Sequence, residues 1–202
     1  MMRYPLIRYF NAVSVGYSYL QSIATGKMLV LGMPPALSVE LTNLCNLKCP
    51  ECNTGAGLMT RQQGFMKMEL FEKIISELKP YLLNLNLYFQ GEPMLNPQFF
   101  SFLLKSRDVK TIVSTNGHFL TKENSEKIAR SGLHSLVVSL DGMDKVAFEK
   151  YRKGGDFDIV ISGIINMADA IKRNSSRTNL TLQYLVGKHN EHQIVLARRF
   201  AR

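Results

Sequence analysis

The sequence predicts an α/β fold on a parallel sheet. Three observations carry this expectation. Along residues 36–199, apolar runs of period two alternate with runs of helical period. Each two-period run ends in a short stretch rich in glycine, proline or polar residues, where open parallel sheets and barrels place their ligands. The chain has 202 residues, 46% hydrophobic and 20% charged, which suits one folded domain with a substantial core rather than a disordered polyelectrolyte or a membrane bundle.

The elements follow in order. Residues 5–25 read as an amphipathic helix packed on the body of the protein, behind Arg3 and with Arg8 inside it. The apolar stretch from Phe10 to Leu31 is interrupted by Asn11, Ser14, Gly16, Ser18, Gln21, Ser22, Gly26 and Lys27, whereas a spanning helix needs about twenty predominantly apolar residues. No transmembrane segment and no export signal are therefore expected. A peripheral membrane contact is the minority reading of this stretch. Pro34 and Pro35 close it, so the domains read as an N-terminal helical segment, 1–35, and a main domain, 36–202.

In the main domain Leu37, Val39 and Leu41 alternate with polar residues, a first strand. Phe71, Ile74, Ile75 and Leu78 fall at helical spacing and Pro80 stops that helix. Leu85, Leu87 and Phe89 mark a second strand; Phe99 to Leu104 mark a helix with Pro97 at an early position. Thr111–Ser114 is a third strand. Thr121 caps a helix that Gly132 closes. Leu133–Leu140 is a fourth strand, followed by helices near 145–151 and 157–172. Leu180–Val186 is a fifth strand, and a last helix covers 191–199. Strand–helix repeats imply right-handed parallel crossovers, so two architectures compete, an open doubly wound sheet and a barrel or partial barrel.

Charge excludes less than it suggests. Twenty-five Lys and Arg against sixteen Asp and Glu give +9, yet the densest basic groups are only Arg198, Arg199 and Arg202, and Lys150, Arg152 and Lys153. A dispersed basic surface is the expectation, with no specific nucleic-acid partner. The charge also permits an acidic electron-carrier protein.

The chemistry concentrates at Cys45, Cys49 and Cys52, the only cysteines, spaced C-x3-C-x2-C on the loop after the first strand. An odd, clustered trio excludes a secreted disulfide framework. Inert thiols rarely gather so tightly. Zinc wants four ligands, and His118, His134, His189 and His192 show no partner spacing. Soft thiolates favour iron–sulfur, and three ligands on a four-iron cluster would leave one iron open to a reactant.

This spacing in this context resembles the radical S-adenosylmethionine (radical SAM) enzymes. SVELTNLCNLKCPEC is similar to the family's first strand and cluster loop, YFQGEP to its second-strand motif, STNG to its third strand end and VVSLDG to its fourth. The resemblance covers about residues 36–187, and is greatest to the branch with a C-terminal SPASM-type extension. It implies a partial TIM-type barrel, with about five strand–helix units of an expected six, in a reducing cytoplasm. It implies a 4Fe-4S cluster on Cys45, Cys49 and Cys52 whose free iron binds S-adenosyl-L-methionine. A one-electron donor such as flavodoxin or ferredoxin would drive cleavage of SAM to a 5′-deoxyadenosyl radical, which takes hydrogen from a peptide or protein substrate.

The same resemblance assigns Gly91, Glu92 and Pro93 to the SAM amino group. Ser139 would meet the SAM ribose or carboxylate, Asp141 reads either as a further cofactor-binding residue or as an ordinary turn pair with Gly142, and Arg152 would bind the carboxylate. Asn116 reads either as a pocket residue or as part of the turn before Gly117, with the turn favoured. Leu185 and Val186 are candidates for the adenine. Two features depart from the family. Glu51 stands where an aromatic or apolar residue is usual, and its carboxylate would oppose adding an electron to the cluster. The strands stop at five and no cysteine follows Cys52, which suggests a fragment or a short form. The alternative functions are a non-catalytic iron–sulfur or zinc-binding relative and, more remotely, a zinc module binding nucleic acid.

Overall fold

A computed structural model of the chain describes residues 4–202, so Arg3 lies outside the described residues. The elements are α1 (Pro5–Thr25), β1 (Ala36–Ser38), α2 (Met68–Leu78), β2 (Asn84–Asn86), α3 (Phe99–Lys105), β3 (Lys110–Thr115) and α4 (Lys122–Ser131). Then follow β4 (Ser135–Ser139), α5 (Lys145–Tyr151), α6 (Phe157–Arg173), β5 (Asn179–Gln183) and α7 (Ile194–Phe200). All neighbouring strands are parallel and the order is β1-β2-β3-β4-β5. That order decides between the two architectures. A doubly wound sheet reverses direction partway; here every crossover advances the same way, so right-handed connections lay the helices on one face. The fold is the α/β partial TIM-type barrel, preceded by α1.

Register explains both faces. Val113 pairs with Leu136 and Leu136 with Leu180, and Thr115 pairs with Val138 and Val138 with Leu182. Apart from Thr115, whose hydroxyl donates to Glu92 at 2.8 Å, these side chains face the helices and pack in one core with Phe71 and Ile75 of α2, Phe99 and Phe102 of α3, Ile128 of α4, and Val160, Ile164 and Met167 of α6. The Phe71 and Phe102 rings stack edge to face at 4.8 Å. Both are fully buried, each worth roughly 1.5–3 kcal/mol by removal from water. Alternation sends Ser38, Asn86, Ser114, Ser139 and Gln183 to the other, concave face. That face is polar, which suits a binding surface.

Local signals place the helices. The Thr121 hydroxyl accepts from the Asn124 N–H, and Gly132 ends α4 in the left-handed region. Asp144 and Asp156 cap α5 and α6 in the same way. Some boundaries move. β1 and β2 have three residues each, shorter than the alternating runs, because beyond Ser38 and Asn86 the chains turn into the loops of the site. Pro97 precedes α3 rather than sitting inside it, in a turn where the Asn96 Oδ1 accepts the Gln98 N–H. A 3-10 turn, Glu191–Gln193, precedes α7.

The larger correction concerns α1. Its apolar side does not pack on the body. Arg8, Asn11 and Ser18 are its buried residues, while Leu6, Phe10, Val13, Tyr17, Leu20 and Ile23 are exposed. The reason is hydrogen bonding. Asn11 donates to the Met33 carbonyl at 2.9 Å and accepts its N–H at 2.8 Å, the Leu29 N–H donates to the Ser22 hydroxyl at 2.9 Å, and Arg8 donates to the Lys79 carbonyl beyond α2 at 3.1 Å. The segment after the helix folds back along its polar stripe and fixes its rotation.

Candidate active site

The site lies at the carboxyl edge of the sheet, where the loop after β1 carries the cysteines. That loop is held from three sides. The Lys48 N–H donates to the Lys153 carbonyl at 2.8 Å, the Glu92 N–H to the Leu44 carbonyl at 2.7 Å, and Thr42 pairs with Phe65 in an isolated antiparallel bridge. Gly91 sits at φ +72°, and a Cβ there would lie 2.4 Å from the Thr42 carbonyl oxygen. Only glycine lets the second-strand loop meet the cysteine loop so closely. Gly55 is similarly pressed on the Cys49 backbone, 2.5 Å from its nitrogen.

Cys45, Cys49 and Cys52 are all free thiols and line one cavity of about 430 Å³, together with Glu51, Gln90, Gly91, Glu92, Asn116, Ser139, Arg152 and Gln183. Cys49 is buried and the other two are partly exposed. N–H groups gather at the sulfurs. The Leu47 N–H lies 3.4 Å from the Cys45 sulfur, Asn116 Nδ2 lies 3.9 Å from the same sulfur, and Arg152 Nη1 lies 3.9 Å from that of Cys49. Burial pushes the Cys45 thiol up, against the Leu47 N–H; burial also pushes Cys49 up, against the Arg152 guanidinium. Unligated, these thiols resist ionisation. A cationic metal group would reverse that balance, and the N–H donors are placed to share the resulting sulfur charge. Among the described residues, no three His, Cys, Asp or Glu side chains are arranged to hold a single ion. Three soft donors lining one cavity fit an iron–sulfur cluster.

Two buried carboxyl groups, Glu92 at the cavity wall and Asp141 behind it, tie distant elements together. Glu92 accepts from the Met94 N–H at 3.1 Å, the Thr115 hydroxyl at 2.8 Å and the Asn116 N–H at 2.7 Å. Burial, opposed by these donors and by Arg152, pushes its carboxyl up to about 7. A carboxylate offers about four acceptor positions, so most of Glu92 is engaged within the protein. Asp141 is fully buried; it pairs with the Arg152 Nε at 2.5 Å and accepts the Leu185 N–H at 2.7 Å. The pair aims Arg152 across the cavity toward Cys49.

The structure thus sorts the sequence-based candidates. Gly91, Glu92, Asn116, Ser139 and Arg152 line the cavity with the three cysteines, whereas Pro93 and Asp141 sit behind it. Asn116 serves both readings: its Oδ1 accepts the His118 N–H at 3.1 Å across the turn in which Gly117 takes the positive φ, and its Nδ2 donates to Asn46 Oδ1 at 2.8 Å. Leu185 and Val186 do not line the cavity, and Val186 belongs to a separate apolar hollow with Ile194 and Ala197. Exposed Glu51 does line it. Sequence reasoning missed Gln90, Tyr151 and Gln183, which line it too. The place of Gln90 and Gln183 at strand ends was their available signal. It also missed His118, whose Nε2 accepts the Asp156 N–H at 2.8 Å, so that Nδ1 carries the proton toward Asn116 Oδ1 at 3.0 Å.

Known proteins are similar to this chain. The mycofactocin maturase MftC of Mycobacterium tuberculosis is 30% identical over 145 residues, 69% of this chain and 36% of that protein. The AdoMet-dependent heme synthase of Methanosarcina barkeri is 29% identical over 134 residues, 65% of this chain and 38% of that protein. Streptococcus suis SuiB, solved with its precursor peptide SuiA, superposes with a TM-score of 0.71 at 20% identity, over 92% of this chain and 40% of that one. The chain therefore spans about two fifths of the length of the relatives it matches. The model of the Radical SAM superfamily matches residues 39–201, from the end of the first strand through the last helix. With the family's cysteine spacing standing at the carboxyl edge of such a sheet, this chain belongs to the Radical SAM superfamily.

Proposed function

We propose that this chain is the radical-generating core of an enzyme that modifies a peptide or protein. Members of the superfamily use a 4Fe-4S cluster and S-adenosyl-L-methionine; the bound pair supplies reductive cleavage of the SAM carbon–sulfur bond and a 5′-deoxyadenosyl radical for hydrogen abstraction. The observation that carries the reading is the convergence of three free cysteines on one cavity, with Asn116 and Arg152 at their sulfurs.

The protein's own residues then bind, orient and shield. Cys45, Cys49 and Cys52 would hold three irons of the cluster. Arg152, anchored through Nε on Asp141, keeps other guanidinium donors for the SAM carboxylate. Gly91 would bring backbone to the SAM amino group, Pro93 would fix that turn, and Glu92 would offer its remaining acceptor position to the ammonium. Ser139 serves the ribose or carboxylate. The +9 charge suits docking of an acidic one-electron donor such as flavodoxin or ferredoxin, and three free thiols suit a reducing cytoplasm. A peptide substrate is supported by the maturase and by SuiB with its precursor peptide.

Anaerobic reconstitution with iron and sulfide is expected to load about four irons per chain, and dithionite with SAM to release 5′-deoxyadenosine. Cys49→Ala should abolish both. Iron uptake with no SAM cleavage would support the non-catalytic relative instead, a reading favoured only by Glu51 at the cavity wall.

A further inference from the structure

We propose that the outward face of α1 is a docking surface for an anionic lipid bilayer, on which the protein lies peripherally. Water-facing helices normally turn polar residues outward. This one turns them inward and commits them there: Asn11 is bonded twice to Met33, Ser22 to Leu29 and Arg8 to Lys79. Rotating the helix to hide its apolar side would break those bonds, so the exposure is built in. At 3.6 residues per turn, Leu6, Phe10, Val13, Tyr17, Leu20 and Ile23 share roughly half of the circumference. The segment folded back along the helix extends the apolar surface, with Met28 91% and Val30 72% exposed.

Charge and side-chain type select the occupant. Residues 1–39 contain no Asp or Glu, Lys27 stands exposed beyond the end of the helix, and the chain carries +9. An anionic surface is attracted from a distance and meets no repelling carboxylate on this face. Tyr9 and Tyr17 are exposed there, rings with an apolar body and a polar tip that suit the headgroup boundary. The helix cannot cross the bilayer: among the described residues none is long and apolar enough. It is suited instead to lie in the interface plane. No residue of α1 lines the cysteine cavity, so this face can meet a membrane without occupying the site.

The test is co-sedimentation of the full reconstituted chain with vesicles of phosphatidylcholine containing about one third phosphatidylserine. Binding is expected, weakened by salt and by omission of phosphatidylserine. Phe10→Glu with Leu20→Glu should reduce it at least about ten-fold while the circular dichroism and melting of the protein stay unchanged, because neither side chain takes part in the inward bonds. The chain has no tryptophan, so Tyr17→Trp gives a single reporter whose emission should shift to the blue with these vesicles. Absence of binding overturns the proposal, as does binding that the double substitution leaves intact. A concentration-dependent dimer abolished by that substitution, without vesicle binding, also overturns it and assigns the face to a second copy. Cluster assembly and SAM cleavage do not enter this test.

Discussion

The loops at the carboxyl edge of the sheet and the helix α1 both bury polar side chains, with opposite consequences. At the sheet edge, Glu92, Asn116, Asp141 and Arg152 bond to one another and to backbone on elements far apart in sequence. Apolar residues of the strands and helices close around them, and the polar groups open on one cavity. On α1, Asn11 and Ser22 bond to the adjacent folded-back segment, and the apolar residues are left outside. Burial of a polar group is therefore no function signal alone. What distinguishes the site is that its buried charges organise several elements around a space.

This contrast yields graded expectations. The largest concerns the Asp141–Arg152 pair. Asp141→Ala leaves a mostly covered guanidinium and the Leu185 N–H without their partner, and should destabilise the fold by about 3–5 kcal/mol in denaturant melts. Asp141→Leu combined with Arg152→Met should recover much of that loss while still eliminating SAM binding.

Next is Glu92. Folded, it keeps its proton to about pH 7, against 4.5 for the unperturbed carboxyl. Between those values the folded state binds more protons than the unfolded chain, so its contribution to stability falls as pH rises, with the full cost present above 7. Relative to Glu92→Gln, the parent should lose up to about 3 kcal/mol across that window. An ammonium arriving at the site favours the ionised form, so SAM affinity should rise as pH climbs through 7, which calorimetry can follow.

A smaller effect is expected at Gly91. Alanine there meets a positive φ and the Thr42 carbonyl, costing about 1–3 kcal/mol and displacing the cysteine loop, visible as lower iron loading. On α1 the expectations are smaller still. Asn11→Ala should cost about 1–2 kcal/mol by stranding the Met33 N–H and carbonyl, whereas Val13→Ser on the outer face should change stability by less than about 0.5 kcal/mol.

Much of this was legible before the structure. The strands read at 111–114 and 180–186 and the cap at Thr121 located their elements, because one face of β3 and α4 is buried and one face of β5 is half-buried, although β5 ends at Gln183. The cysteine spacing marked the site because few chemistries use three thiols so close together. Two things stayed hidden for physical reasons. The apolar stripe of α1 is plain, but periodicity shows only that a stripe exists, not which side is covered; the second stripe of Arg8, Asn11, Ser18 and Ser22 needed its partners at 29–33 and 79 to be recognised. Glu92 read only as an acceptor for SAM, and its further work, capping the 3-10 turn Pro93–Leu95 and gripping Thr115 and Asn116, did not show. Those partners lie over twenty residues away, and only the sheet brings them near.

The central claim is that Cys45, Cys49 and Cys52 hold a four-iron cluster with one iron open to SAM. Electron paramagnetic resonance of the reconstituted, dithionite-reduced chain tests it most directly. A reduced-cluster signal whose g-values change on adding SAM is the predicted result; a signal indifferent to SAM, or zinc in place of iron in material prepared without oxygen, would contradict it.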